Sequence, residues 1–422
     1  MTNRTELLPG VFLQTVQTDK FKTGCISLNF LRPLCREEAS LNALLPSVLL
    51  RGTERVPDIR QISMLLDELY GATVGTLIRK KGEVHTWGFY ADFIEDDYTP
   101  DGEPVFARIC GFLRELLFAP VLENGIFPED FVESEKINLC NTLAAEINDK
   151  RSYAMIRLIR TMCAGESQSI PRLGERESVE KITPQTLFDH YRKVLETSRV
   201  EILYMGRKSG EEAEQLVRGI VEGLPRGNLA EIGTKVIRSA ETVRETEEAM
   251  DVTQGKLAMG FRTGCTCADP EYPALMVLNA IFGGGVSSKL FRNVREKLQL
   301  CYYASSALEK YKGLMVVSSG IDFEKFGVAK EEILRQLEHC REGNITEEEL
   351  EKARQYLISA FRASKDRPGS IDEFYLGQAI VGKTETVDDL IAALQRVTME
   401  DVVAAAGRIT LDTVYFLKGV EE

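Results

Sequence analysis

The chain has 422 residues, 44% of them hydrophobic, and a net charge of −13. That length excludes one small domain and suits two ordinary ones, each able to bury its own core, while the acidic balance opposes phosphate backbones and makes nucleic acid an unexpected partner. No stretch approaches the ~18 uncharged apolar residues that a membrane span requires, and nine scattered cysteines, an odd number set mostly in apolar segments, fit reduced thiols in a cytoplasmic protein.

The first element is the alternating, β-prone run Thr23 to Leu31, followed by a helical run from Leu41 to Leu50. Pro128-Glu129-Asp130 opens a long amphipathic helix over Phe131 to Lys150, where early acidic residues suit the exposed N–H groups. Thr183-Pro184-Gln185 opens a shorter helix that leads to the strand Val200 to Gly206. A polar stretch after Leu224-Pro225 reads as a linker over 226–246.

Beyond it the same plan returns. Gly24, Phe30, Ala43 and Leu44 are matched by Gly255, Phe261, Ala274 and Leu275, each 231 positions later. Cys265 and Cys267 form the one close cysteine pair, but no partners at zinc-binding spacing follow. Gly283, Gly284 and Gly285 permit a close approach to a helix that Ser287 or Ser288 can cap, with Leu290, Val294 and Leu298 at helical spacing. The Gly-Lys-Ser/Thr order of a phosphate-binding loop is absent. Thr346-Glu347-Glu348 opens a second long helix, and Thr398-Met399-Glu400 a short one leading to the strand Thr413 to Gly419. The expected fold is α+β: two duplicated domains, 1–225 and 247–422, each a mainly antiparallel sheet with helices on one face.

The segment from Gly283 to Lys297 is similar to the Gly-Gly-Gly-x-Ser-Ser-Arg-Leu-Phe stretch, with its Arg-Glu-Lys ending, of the pitrilysin/insulinase family, which includes the mitochondrial processing peptidase. Leu300-Cys301-Tyr302 stands for that family's Leu-Ala-Tyr; Arg51-Gly52-Thr53-Glu54 and Leu66 to Ala72 resemble its Lys-Gly-Thr turn and the helix after it. The resemblance runs over essentially the whole chain and implies a metallopeptidase half-clamshell. Active members carry His-x-x-Glu-His on a helix, two histidines holding zinc while the glutamate activates water. In that register the three positions are Ala43, Pro46 and Ser47, and the later glutamate ligand falls at Thr142. None of these replaces a ligand. Glu146, one turn on, reads as a solvated carboxylate, and His85, His190 and His339 offer no pair on one helix face and read as surface or packing residues. There is no Gly-x-Ser-x-Gly, and no cysteine has a cue pairing it with a base. No metal and no catalytic residue are therefore expected in this chain alone.

The resemblance also implies that Arg295 and Tyr302 reach a bound peptide, the guanidinium gripping a backbone carbonyl and the phenol donating to an oxyanion. It implies a non-catalytic subunit of a heterodimeric zinc metalloendopeptidase, whose partner of the same family bears His-x-x-Glu-His and the zinc. The alternatives are a peptide-binding or structural protein without proteolytic role, and an autonomous zinc peptidase.

Overall fold

A computed structural model describes residues 2–420, which form two compact units. The first comprises the residues up to Ala144 with Ile170–Gly233 and Tyr375–Ala379; the second comprises Ala145–Ser169, Thr234–Phe374 and the chain from Ile380 onward.

The first unit is built on six strands: β1 (Thr2–Leu8), β2 (Val11–Gln17), β3 (Thr23–Pro33), β4 (Thr73–Lys81), β5 (Val84–Ile94) and β6 (Arg199–Gly206). Their order across the sheet is β1-β2-β6-β3-β5-β4, antiparallel except for the β2–β6 pair. The second unit has five: β7 (Arg244–Met250), β8 (Gly255–Arg262), β9 (Cys301–Glu309), β10 (Leu314–Ile321) and β11 (Thr410–Gly419). They run β7-β11-β8-β10-β9, again with one parallel pair, β7–β11. Removing β1 from the first sheet leaves the order of the second, so the sequence duplication is a duplication of topology. Phe30 and Phe261 are its clearest pair, both fully buried on the core face of β3 and β8.

Helices of the N-terminal half are α1 (Arg36–Leu49), α2 (Ile59–Glu68), α3 (Val105–Phe118), α4 (Glu129–Ala145), α5 (Lys150–Met162), α6 (Arg176–Glu180), α7 (Pro184–Thr197) and α8 (Gly210–Val221). Those of the C-terminal half are α9 (Tyr272–Phe282), α10 (Phe326–Arg341), α11 (Glu347–Ser364), α12 (Pro368–Ile380), α13 (Val387–Arg396) and α14 (Met399–Arg408). Local chemistry sets their starts: Thr183, Thr346 and Thr398 each accept the N–H three residues on, in reciprocal capping boxes that satisfy otherwise orphaned donors. The long run expected from Phe131 to Lys150 is broken. It ends at Ala145, passes through a short 3₁₀ turn, and restarts because Asp149 accepts from the N–H groups of Arg151 and Ser152.

That break gives the second unit a helix on the other face of its sheet. Ala154 and Leu158 of α5 pack on Ala258, Tyr415 and Leu417, opposite the face that buries Leu257, Met259 and Phe416. Gly260 makes room, since a Cβ there would lie 2.5 Å from Met162 Sδ. A buried ion cluster completes the join: Arg262 Nη2 meets Glu166 Oε1 at 2.7 Å and Arg262 Nε meets Asp412 Oδ2 at 2.8 Å, while Lys312 Nζ lies 2.7 Å from Glu166 Oε2. Residues 145–169, which precede the 226–246 stretch, thus belong to the second unit. In the stretch itself no helix or strand occurs before Arg244, where β7 begins. It is anchored at both ends. Arg226 donates to the carbonyls of Pro9, Leu195 and Ser198, and the Ala240 N–H donates to Thr410 Oγ1.

Candidate peptide-holding site and the altered metal helix

The helix that would carry a His-x-x-Glu-His motif is α1. Ala43 and Pro46 are buried on it and Ser47 is half-buried. Pro46 has no N–H, so the fourth carbonyl before it receives no helical bond, yet the helix continues to Leu49. Thr142 is exposed on α4, its hydroxyl donating to the Asn138 carbonyl at 2.9 Å. Glu146 stands in the 3₁₀ turn beyond α4 rather than one turn further along it. A methyl group, a proline ring and two hydroxyls do not fit a zinc ion, which takes nitrogen, thiolate or carboxylate ligands. Among the described residues, no group of three or more His, Cys, Asp or Glu side chains gathers as a metal-binding cluster.

Asn42, next to Ala43 on α1, belongs to a buried polar network. His190 Nε2–H donates to Asn42 Oδ1 at 2.8 Å, and Asn42 Nδ2 donates to His85 Nδ1 at 3.3 Å. Burial pushes both imidazoles down to about 4, so they are neutral at physiological pH. Beside them, burial alone would raise the Glu38 carboxyl, but hydrogen bonds from Arg32 and Lys193 hold it down to about 2. The network joins α1 to β3, β5 and α7. Sequence reading placed His85 and His190 as surface or packing residues and did not connect them, because Asn42, His85 and His190 are far apart in the chain and share no periodicity.

In the second unit, the glycine-rich segment turns the chain out of α9. Gly283 lies so close to β9 that a Cβ would stand 2.7 Å from the Ser306 nitrogen and 2.8 Å from Leu290 Cδ1. The Ser306 N–H donates to the Gly283 carbonyl at 2.9 Å, covering part of the outer edge of β9. Gly284 is less confined, with Ala280 Cα and the Asn279 carbonyl each 3.0 Å from where a Cβ would stand, whereas Gly285 faces only Tyr356 at 3.8 Å. Of the two candidate caps, Ser288 is buried and accepts the Phe291 N–H at 3.3 Å; Ser287 is exposed.

The helix that follows, Leu290–Lys297, is a π-helix, closed by the Leu298 N–H bonding back five residues to the Asn293 carbonyl at 3.1 Å. Leu290 and Val294 are buried as their spacing implies, but Leu298 is 41% exposed. The α-helical spacing fails at this third position because the wider turn rotates it toward solvent. Arg295 projects into solvent with its guanidinium 4.7 Å from the Phe291 ring centroid, a cation–π contact that orients it.

Gln299 reverses the chain with φ of +51°, and β9 begins two residues later. Tyr302, near the start of this edge strand, is 59% exposed. Its hydroxyl donates to Asp322 Oδ1 at 3.0 Å; Asp322 Oδ2 meets Lys325 Nζ at 2.8 Å; Lys325 Nζ reaches the Gln299 carbonyl at 3.3 Å. The hydrogen bond to Asp322 raises the phenol's pKa, and Lys325 and Tyr302 lower that of Asp322. β9 packs on the π-helix, so the fold carries Arg295 and Tyr302 on touching elements of one unit. The network behind Tyr302 was not found from the sequence, because Asp322 and Lys325 carry no motif.

Two sheet-and-helix units of one topology define the class of fold, a duplicated α+β chain. Residues 181–357 match the family model of the peptidase M16 inactive domain. The chain is 34% identical to the Bacillus subtilis protein named "Probable inactive metalloprotease YmfF", over 98% of this chain and 96% of that one. It is 22% identical to "Uncharacterized zinc protease YmxG" of the same organism, over 81% of this chain and 83% of the other. A solved structure of a conserved protein from Enterococcus faecalis V583 superposes with a TM-score of 0.91 at 31% identity, covering 100% of this chain and 99% of that one. The peptidase M16 inactive domain from Pseudomonas fluorescens shares the fold, with a TM-score of 0.80 at 17% identity over 100% and 98% of the two chains. The chain belongs to the M16 peptidase family.

Proposed function

We propose that this chain is the non-catalytic subunit of a two-chain zinc metalloendopeptidase, holding peptides while a partner of the same family, bearing His-x-x-Glu-His, supplies the zinc. The observation that carries the reading is a contrast within one molecule. Ala43, Pro46, Ser47 and Thr142 offer zinc no ligand set, while Arg295 and Tyr302 stand exposed on elements shaped by three glycines and a π-helix. Exposed aromatic and guanidinium groups of this kind recognise main-chain carbonyls and N–H groups, which suits extended or unfolded peptides of varied sequence. None of the nine cysteines, which lie among the described residues, is joined in a disulfide, which supports a cytoplasmic site of action. No helix among the described residues is long and apolar enough to cross a membrane.

The test is co-expression with the family member from the same genome that has the intact motif. The expected outcome is a one-to-one complex with one zinc, chelator-sensitive peptide cleavage that neither chain shows alone, and a lower rate when Arg295→Ala or Tyr302→Phe replaces the wild-type subunit. An assembled, folded complex that cleaves at the wild-type rate with both substitutions would make the pair structural. A chain that binds peptides but forms no complex would favour a peptide-binding protein without proteolytic role.

A further inference from the structure

Tyr302 is an exposed side chain on an edge strand, a setting in which a phenol ordinarily samples several rotamers. Here it is tethered. Its oxygen lies 3.0 Å from Asp322 Oδ1, and Asp322 is fixed in turn by Lys325, whose ammonium also holds the carbonyl of Gln299. Gln299 is the left-handed residue that joins the helix of Arg295 to the strand of Tyr302. The Asp322 carboxylate caps nothing: it precedes a 3₁₀ turn without bonding to any of its N–H groups.

The direction of the proton follows from chemistry. An ionised carboxylate only accepts, so the single phenolic proton is committed to Asp322 and the lone pairs of Tyr302 face outward. A phenol engaged in this way is a poor donor and a strengthened acceptor. We propose that Asp322, backed by Lys325, is a positioning residue that fixes the Tyr302 hydroxyl as an acceptor for a peptide N–H, while Arg295 serves a peptide carbonyl. The two side chains then take the two complementary main-chain groups of an extended substrate, and Tyr302 acts in holding peptide rather than in stabilising an oxyanion. The inference rests on the peptide-holding reading above and adds which polarity each group presents and what enforces it.

The experiment uses the full chain and a fluorescein-labelled unstructured peptide, read by anisotropy, with a series of the same peptide N-methylated at successive backbone positions. Removing the N–H that Tyr302 accepts should weaken binding to the wild-type chain by about three- to tenfold, the range of one net hydrogen bond. Tyr302→Phe and Asp322→Asn should each weaken the parent peptide by a similar factor and become insensitive to that methyl group. The double variant should be no weaker than Tyr302→Phe alone. Independently of any ligand, ¹³Cζ-tyrosine NMR should show the Tyr302 phenol ionising at lower pH in Asp322→Asn than in the wild type. Unchanged ionisation, or an Asp322→Asn chain that keeps the N-methyl sensitivity while Tyr302→Phe loses it, overturns the role of Asp322 and leaves the peptide-holding reading intact. Binding without sensitivity at any position overturns the acceptor role. If the wild-type chain binds no peptide while complex formation and cleavage with the partner are normal, the inference falls and the subunit reading stands.

Discussion

His85 and His190 sit on either side of Asn42: His85 accepts from its amide and can do so only in the neutral form, while His190 donates to its amide oxygen, and both rings are buried. Their pKa values near 4 lie below the unfolded value of about 6.5, so between those limits the unfolded chain binds more protons and stability rises with pH. Acidification from pH 7 to 5 should therefore cost on the order of 2 kcal/mol per histidine, and Glu38 extends the loss below its ordinary carboxylate range. Urea unfolding at the two pH values measures this; equal free energies would contradict it. The sign follows from burial, which penalises charge. Arg262 belongs to the same scale. It is buried between Glu166 and Asp412, so Arg262→Ala leaves Asp412 without its cation and Glu166 with Lys312 alone, and should destabilise by about 3 to 5 kcal/mol, whereas exposed pairs such as Arg176–Glu180 should matter little. Thermal unfolding of the two alanine variants would decide the ranking.

At the scale of elements, the glycine turn and the π-helix depend on space more than on backbone freedom. None of Gly283, Gly284 and Gly285 has a positive φ, so a side chain is resisted by neighbours alone. Gly283→Ala pushes a methyl into the Ser306 backbone and Leu290, and should cost about 1 to 3 kcal/mol and loosen the join between π-helix and β9. Gly285→Ala meets nothing closer than ordinary contact and should be tolerated. Denaturation midpoints of the two variants check the contrast, and equal effects would contradict it. The glycines, the capping serine and the buried Leu290 and Val294 were legible in the sequence because each is a local requirement. The π-turn was not: Leu290, Val294 and Leu298 suit an ordinary helix equally well, and nothing in that spacing announces the wider turn that leaves Leu298 exposed.

At the scale of the whole molecule, a zinc ligand set would have to be built from several distant positions at once. Changing Ala43→His, Pro46→Glu and Ser47→His would restore one helix face but leave Thr142 in place of the third ligand. It would also set two imidazoles beside the Asn42 network without partners to orient them. The triple variant is expected to retain less than stoichiometric zinc after dialysis and to show no chelator-sensitive cleavage on its own. One tightly held zinc per chain, measured by elemental analysis, would refute that expectation.

The sequence by itself determined the repeat, the β-prone strands, the threonine-capped helices and which residues, Ala43, Pro46 and Ser47, stand on α1. All of these follow from periods of two and 3.6, from side chains that bond within four residues, or from the identity of single residues. Only the tertiary structure decided which groups meet: that α5 lies on β8 and β11 of the second unit, that Asn42 bridges two histidines, and that Asp322 claims the proton of Tyr302. The reason is physical. Burial, ion pairing and hydrogen-bond direction depend on distances across the chain, and a buried polar group takes whichever partner the packing of the sheets and helices brings within about 3 Å.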